Sequence, residues 1–178
     1  SYTAAKFPRL SLRYKKGIDG LLGGDTDYDL ITFEAFQERI GLGLFGYTSF
    51  VVGAGKFLNN NKLFYPEFKH FRGNNAMFFP PNLRKFRFLD FYQYSTNEHY
   101  FEAHLEHNFS GFILNKIPVL RKLKLEEVIG FSYLSQPQKK NYTEYYFGIQ
   151  RLVFGISYGF AFDNGKKVNQ GIRVAYNF

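Results

Sequence analysis

Alternation of apolar residues with small or polar residues constrains this chain more than any other feature. In residues 171–178, apolar or aromatic residues alternate with small or polar ones. The first set is Ile172, Val174, Tyr176 and Phe178, and the second is Gly171, Arg173, Ala175 and Asn177. A period of two places the two series on opposite faces of a β-strand. A strand that is apolar outside and polar inside is typical of a β-barrel in lipid. The alternation therefore predicts a transmembrane β-barrel.

The same period predicts about eight strands along the chain. Their approximate bounds are 6–16, 29–43, 47–57, 98–109, 123–135, 142–150, 153–162 and 168–178. The alternation slips near Phe36, which predicts a β-bulge there. Segment 153–162 has the sharpest contrast, with aromatic or Ile side chains on one face and Gly, Ser or Ala on the other.

The connections between these strands differ in length at the two ends. Residues 44–46 and 150–153 are short turns, whereas 58–97 is long, irregular and contains Pro and repeated Asn. If Phe178 ends on the periplasmic side, the short turns lie there and the long segment lies outside, which is the outer-membrane pattern. We therefore predict one antiparallel transmembrane barrel region over residues 1–178, in which 58–97 is an extracellular or lumen-inserted loop.

Composition narrows the alternatives. The chain has 23 Phe and 14 Tyr but no Cys and no Trp. No segment approaches about 18 uninterrupted apolar residues, so a transmembrane helix is excluded. The net charge is +8, and the Lys and Arg residues are scattered along the chain rather than clustered. This scatter argues against binding to nucleic acid. It is better explained by contacts with lipopolysaccharide phosphates or by a basic barrel lumen. A soluble β-sandwich with a Phe-rich core is the alternative fold.

The length of the irregular segment limits how the predicted barrel can close. An eight-stranded barrel has a lumen that side chains just fill, so a loop of nearly forty residues cannot also fold inside it. Either the loop stays outside a small barrel, or the remaining strands lie upstream or on another chain, and we favour strands upstream. The first residues also lack the apolar core of a signal peptide, so we expect a processed chain or the end of a longer one.

Two sequence features carry a resemblance to known families. The last strand resembles the carboxy-terminal signal of Gram-negative outer-membrane barrels, and Arg72 with Gly73, inside residues 66–74, resembles the Arg-Gly motif of the BamA/TamA insertase superfamily. Segments 94–97, 106–112 and 115–118 resemble one branch more closely. That branch is an uncharacterised outer-membrane family with an upstream carboxypeptidase-regulatory-like domain. The resemblance implies the C-terminal half of a barrel of about sixteen strands.

The resemblance also implies a contact between the loop and the lumen. In that superfamily the Arg of the loop meets a carboxylate on the inner wall, and an unpaired buried charge would be costly. Inward-facing Glu102, Glu106 and Glu144 are the candidate carboxylates. We predict that Arg72 pairs with Glu102 or Glu106; the alternative is that Arg72 is solvated in an external loop.

Other chemistry is weakly supported by the sequence. Glu102, His104 and Glu106 share one strand face and offer metal-ligating groups, but we interpret them as a polar lumen wall. No Ser lies in a recognisable nucleophile setting, so we expect no enzyme activity and no cofactor or metal. The amphipathic segment 112–123 either lies on the inner leaflet or covers the periplasmic rim of the barrel as a hairpin connection, and we favour the second interpretation.

The function that the sequence favours is an outer-membrane component of protein assembly or translocation, as the resemblance implies. Its expected partners are the lipid bilayer, lipopolysaccharide, the assembly machinery and other outer-membrane or periplasmic proteins. A scaffolding barrel and a passive pore for small solutes are the alternatives.

Overall fold

The computed structural model describes residues 7–20, 25–74, 76–80, 82–92 and 94–176, and the fold is all-β. The strands are β1 (Arg9–Gly17), β2 (Asp27–Gly41), β3 (Tyr47–Lys62), β4 (Phe78–Phe79), β5 (His99–Asn108), β6 (Glu126–Gln136), β7 (Lys139–Arg151), β8 (Phe154–Asp163) and β9 (Lys166–Tyr176). Three 3-10 turns (Gly43–Phe45, Tyr65–Glu67, Leu114–Lys116) and one short helix, α1 (Pro118–Arg121), complete the described elements. No helix in the described ranges is both long enough and apolar enough to cross a membrane.

The nine strands form one sheet in the order β1-β2-β3-β5-β6-β7-β8-β9-β4. All neighbours are antiparallel except β4, which pairs in parallel with β9. The sheet is not closed, because no pairing joins β1 to β9 or β4 in the part of the chain that the structure describes. The described residues therefore form an open wall and do not complete a barrel by themselves.

The eight long strands lie where the alternation predicted them, with local differences. Strand β3 continues to Lys62, so the irregular segment is 63–98 rather than 58–97. One break in the β2–β3 register lies between Gln37 and Ile40, just beyond the predicted position at Phe36, and further shifts lie between Asp27 and Leu30. The predicted polar loop at 136–141 is shorter, since β6 ends at Gln136 and β7 begins at Lys139.

The two faces of the sheet differ in chemistry. On the outer face, large apolar side chains are exposed; Leu12 is 72% exposed and Phe147 is 56% exposed. On the inner face, polar side chains are buried; Glu144 is 0% exposed and His104 is 2% exposed. This distribution is the reverse of a sheet with one face in water, where the exposed face is polar.

The sheet curves around segment 63–98. Strands in a sheet lie about 4.8 Å apart, so a flat sheet would hold β2 and β9 about 29 Å apart. Yet Glu38 and Arg39 of β2 line the same cavity of about 400 Å³ as Ala175 of β9. The inner face is therefore concave, and segment 63–98, hereafter the docked loop, lies within it.

Candidate functional site

The docked loop packs against the inner face through a shared apolar cluster. The loop contributes Phe71, Phe86, Phe88 and Leu89, and the strands contribute Tyr100, Leu134, Tyr142 and Ala161. The Phe86 ring also lies edge-on to the His104 ring, with 4.6 Å between centroids. Full burial of a large apolar side chain contributes about 1.5–3 kcal/mol, so this cluster is the main attachment of the loop.

Glu144 of β7 fixes the backbone of the loop. Its carboxylate accepts hydrogen bonds from the amide nitrogens of Arg87 (2.6 Å) and Phe88 (2.9 Å) and from the Tyr142 hydroxyl (2.8 Å). A loop inside a sheet leaves its amide groups without ladder partners, and buried amides need acceptors. Because Glu144 satisfies two consecutive amides, it determines where the loop crosses the inner face.

Arg87 is the cation that reaches the inner wall. Its guanidinium donates to Ser157 Oγ at 2.8 Å, lies 3.5 Å from Glu106 Oε2, and stacks 3.5 Å from the centroid of the Tyr146 ring. Its carbonyl oxygen accepts a 2.8 Å hydrogen bond from Arg173 Nε of β9. A guanidinium suits this position because it combines fork-shaped donors with stacking on an aromatic ring.

Small residues on the inner face make room for these contacts. Tyr146 lies across Gly130, where a methyl group would stand 1.9 Å from the ring, and its hydroxyl donates to Glu106 at 2.7 Å. At Gly159 a methyl group would lie 2.7 Å from the Phe88 ring. The Gly and Ala positions of the inner face therefore shape the recess in which the docked loop fits.

Two further ion pairs join the loop to the wall. Lys69 Nζ lies 2.7 Å from Glu102 Oε1, and Arg84 Nη2 lies 2.8 Å from Glu34 Oε1. Burial of Lys69 lowers its pKa, but the attraction of Glu102 outweighs burial, so the pKa of Lys69 is raised overall. Burial lowers the pKa of Lys85, the next cation of the loop after Arg84.

The structure places the predicted Arg-Gly pair differently from the expectation. The Arg72 side chain is exposed and makes no ion pair among the described residues, while Lys69 binds Glu102 and Arg87 binds Glu106. The Arg72 carbonyl oxygen accepts a hydrogen bond from Phe86 N at 2.8 Å. Gly73 is buried against residues 89–90 of the same loop, and a methyl group there would lie 2.4 Å from the Leu89 carbonyl oxygen.

Sequence reasoning named Glu144 as a candidate but missed Arg87. The signal was present in residues 85–88, where Lys85 and Arg87 alternate with Phe86 and Phe88, as on a strand with two different faces. The resemblance drew attention to Arg72 instead, since the Arg-Gly pair is the recognisable motif.

The closing strand has the predicted facing in its described part. Ile172 is exposed on the outer face, and Arg173 faces inward beside Ser157. Gly171 and Tyr176 lie in β9, whereas Phe178 lies outside the described residues. Val174 faces outward and is buried at 5% exposure, because it pairs with Phe78 of β4, and its amide donates to the Met77 carbonyl oxygen at 2.7 Å.

The side chains weighed as metal ligands have other partners. Glu102 binds Lys69, Glu106 accepts from Tyr146, and His104 Nδ1 lies 2.9 Å from Ser132 Oγ. Within the described ranges, no group of three or more His, Cys, Asp or Glu side chains could hold a metal ion.

An open polar cavity of about 400 Å³ lies between the loop and the wall of β2 and β3. Its lining includes Glu38, Arg39, Tyr47, Arg84, Arg87 and Glu106. Both signs of charge therefore face the same space beside the docked loop.

Comparison with known proteins yields one match. The model of a family of unknown function, described as the DUF5686 C-terminal domain, matches residues 1–149. No curated protein and no solved structure matches the chain.

Proposed function

We propose that this chain, which belongs to the DUF5686 C-terminal domain family, forms part of the wall of a transmembrane β-barrel in the outer membrane. The observation that carries the proposal is the inverted polarity of the sheet. Its outer face exposes Phe, Leu and Ile, while its inner face buries Glu144 and His104. Lipid around the outer face would remove those apolar side chains from water, which is how transmembrane barrels are stabilised.

The open edges of the sheet support a larger barrel. Inside lipid every backbone hydrogen-bonding group needs a partner, so a spanning sheet must close. We propose that further strands join the β1 edge to the β9 edge and complete a barrel of about sixteen strands, as the BamA/TamA resemblance implies. The docked loop would then lie in the lumen.

The docked loop supports a non-enzymatic role in assembly or translocation of outer-membrane proteins. It covers the inner face through an apolar cluster, ion pairs and the Glu144 anchor, so it favours a lumen that is closed at rest over an open passive pore. Release or movement of such a loop would change the lumen without any covalent chemistry.

The membrane proposal is tested with the full-length protein and phosphatidylcholine vesicles. We expect insertion, protection of the strands from trypsin, and an apparent mass in SDS gels that changes on heating. A protein that remains monomeric in buffer without detergent and does not bind vesicles would contradict the proposal.

The role in assembly is tested by depletion in the native host. We expect lower amounts of other folded outer-membrane proteins, restored by the wild type and not by Glu144→Ala, which releases the loop. Unchanged amounts would favour the scaffolding alternative. A large steady conductance of the wild type in a planar bilayer would favour the passive pore.

A further inference from the structure

The end of the sheet opposite the docked loop exposes apolar side chains in three adjacent connections. These connections are residues 42–46, 109–125 and 152–153, which follow β2, β5 and β7. Their exposed apolar residues are Leu42, Leu44, Phe45, Ile113, Ile117, Val119, Leu123, Leu152 and Val153. Leu44 is 86% exposed and Leu152 is 94% exposed. This row continues the apolar outer face beyond the ends of the strands.

The same end carries unpaired positive charge. Segment 109–125 contains four cations and no Asp or Glu: the cations are Lys116, Arg121, Lys122 and Lys124. None of the four makes an ion pair within the described part of the chain. The row of apolar turns and these four cations are hereafter called the basic apolar rim.

The nearest acidic side chains are occupied by internal contacts. Glu126 Oε2 accepts from Asn108 Nδ2 at 2.7 Å, and Glu127 Oε1 accepts from the amide nitrogens of Ile113, at 3.1 Å, and Leu114. These carboxylates hold segment 109–125 against the end of β6. The cations of α1 and its flanks are exposed and have no carboxylate partner among the described residues.

Aromatic contacts join two of the connections. The Phe45 and Phe112 rings lie 5.3 Å apart between centroids, and Lys116 Nζ lies 4.1 Å from the centroid of the Phe112 ring. A cation beside an aromatic ring, with aliphatic side chains on both flanks, is the arrangement found where a protein meets the headgroup layer.

We propose that the basic apolar rim seats on an anionic phospholipid leaflet, with its aliphatic side chains below the headgroups and its cations at the phosphates. The inference rests on the proposed membrane location and adds which end of the wall contacts which lipid. Charge complementarity favours anionic headgroups, and continuity with the outer apolar face favours a lipid over a protein partner. At the other end, the turns at 137–138 and 164–165 are Pro-Gln and Asn-Gly and contain no large apolar side chain, and the described part of the β1–β2 connection exposes one, Ile18.

The test compares two triple variants of the full-length protein. The rim variant carries Arg121→Gln, Lys122→Gln and Lys124→Gln; the matched control carries Lys140→Gln, Lys166→Gln and Lys167→Gln at the other end. All six side chains are exposed, so each variant loses three surface charges. The measurement is the equilibrium binding to phosphatidylcholine vesicles with and without 25% phosphatidylglycerol, at low and high salt.

We expect phosphatidylglycerol to strengthen binding of the wild type and the control by the same factor. Each Lys or Arg near an anionic surface contributes about fivefold, and partial contact of three charges predicts a loss of roughly tenfold in the rim variant at low salt. High salt should abolish that difference.

Three results would overturn the inference: no preference of the wild type for phosphatidylglycerol, an equal loss in the control, or no loss in the rim variant. If the rim variant instead fails to bind a protein that the wild type binds without lipid, the rim is a protein interface and the inference is also overturned. If the wild type binds neither kind of vesicle, the membrane proposal itself is contradicted. This outcome differs from the three results that overturn only the inference about the basic apolar rim.

Discussion

The inner faces of β7 and β1 have the same alternation and different surroundings. On β7 the inward residues Tyr142, Glu144 and Tyr146 are buried beneath the docked loop. On β1 the inward cations Arg9 and Arg13 are exposed. A cavity of about 270 Å³ separates the loop from β1 near Lys69. The alternation therefore assigns a residue to a face, and the covering element decides whether that face becomes a core.

The comparison also separates two uses of charge. Under the loop, each charge on the wall has a specific partner, as Glu144 has the amides of Arg87 and Phe88. On β1, the inward Arg9 and Arg13 are exposed and make no ion pair among the described residues. If the loop is the cause of this difference, changes in its anchors should make the wall of β7 resemble the wall of β1.

The largest effect is expected from Glu144→Ala. It leaves two buried amides and the Tyr142 hydroxyl without their acceptor, which predicts a loss of about 2–5 kcal/mol in the free energy of loop docking. The measurement is the rate of trypsin cleavage after Arg84 and Arg87. The exposed Glu38→Ala serves as the control. Cleavage as slow as in the wild type would show that the loop does not depend on this anchor.

A smaller loss of about 1–3 kcal/mol in the free energy of unfolding is expected from Gly159→Ala. The added methyl group would lie 2.7 Å from the Phe88 ring and 2.7 Å from the Tyr145 carbonyl oxygen. Gly155→Ala, on the same strand and face, would meet its nearest atom only at 3.2 Å and is the control. The midpoint of urea unfolding reports the effect. In a Phe88→Ala background the same Gly159→Ala change should cost less than in the wild type, and an equal cost in both backgrounds would contradict a steric conflict with the ring.

A loss of about 1 kcal/mol is expected from Lys69→Met, which removes the pair with the partly buried Glu102. Because the pKa of Lys69 is raised above its unfolded value of 10.5, its contribution is complete below that pH and is lost as the pH rises through the folded pKa. Trypsin cleavage cannot report loop docking at this alkaline pH. The measurement is therefore hydrogen exchange of the loop amides from pH 7 to 11. If the exchange rates of the loop amides rise equally with pH in the wild type and in Lys69→Met, the pH dependence does not come from Lys69.

The smallest effect, within about 0.5 kcal/mol, is expected from Arg72→Ala, because its exposed side chain makes no ion pair in the described structure. Arg87→Ala is the contrasting variant and should cost several times more, since it removes contacts to Ser157, Glu106 and the Tyr146 ring. The stabilities of the two variants are compared by the temperature at which each protein unfolds before SDS gel electrophoresis. A larger shift for Arg72 would restore the role that the Arg-Gly resemblance implies.

The sequence predicted the long strands and the inward residues well, because alternation is a local property. Glu102, Glu106 and Glu144 were assigned inward from period two alone, and all three contact the docked loop. The path of the loop was not predictable in this way. Arg87 contacts the inner face and Arg72 does not, because Phe86 and Phe88 pack against strands that are distant in sequence. No local sequence pattern encodes that packing.

The pairing of β4 with β9 has a consequence for aggregation of the chain. An exposed strand edge is a template on which a second copy can stack. Phe78 and Phe79 occupy that edge at Val174 and Ala175, and the remaining edge carries Lys166 and Lys167, whose charges repel a second copy. Strand β4 thus covers part of the β9 edge, and aggregation through that part must first displace a segment of the same molecule.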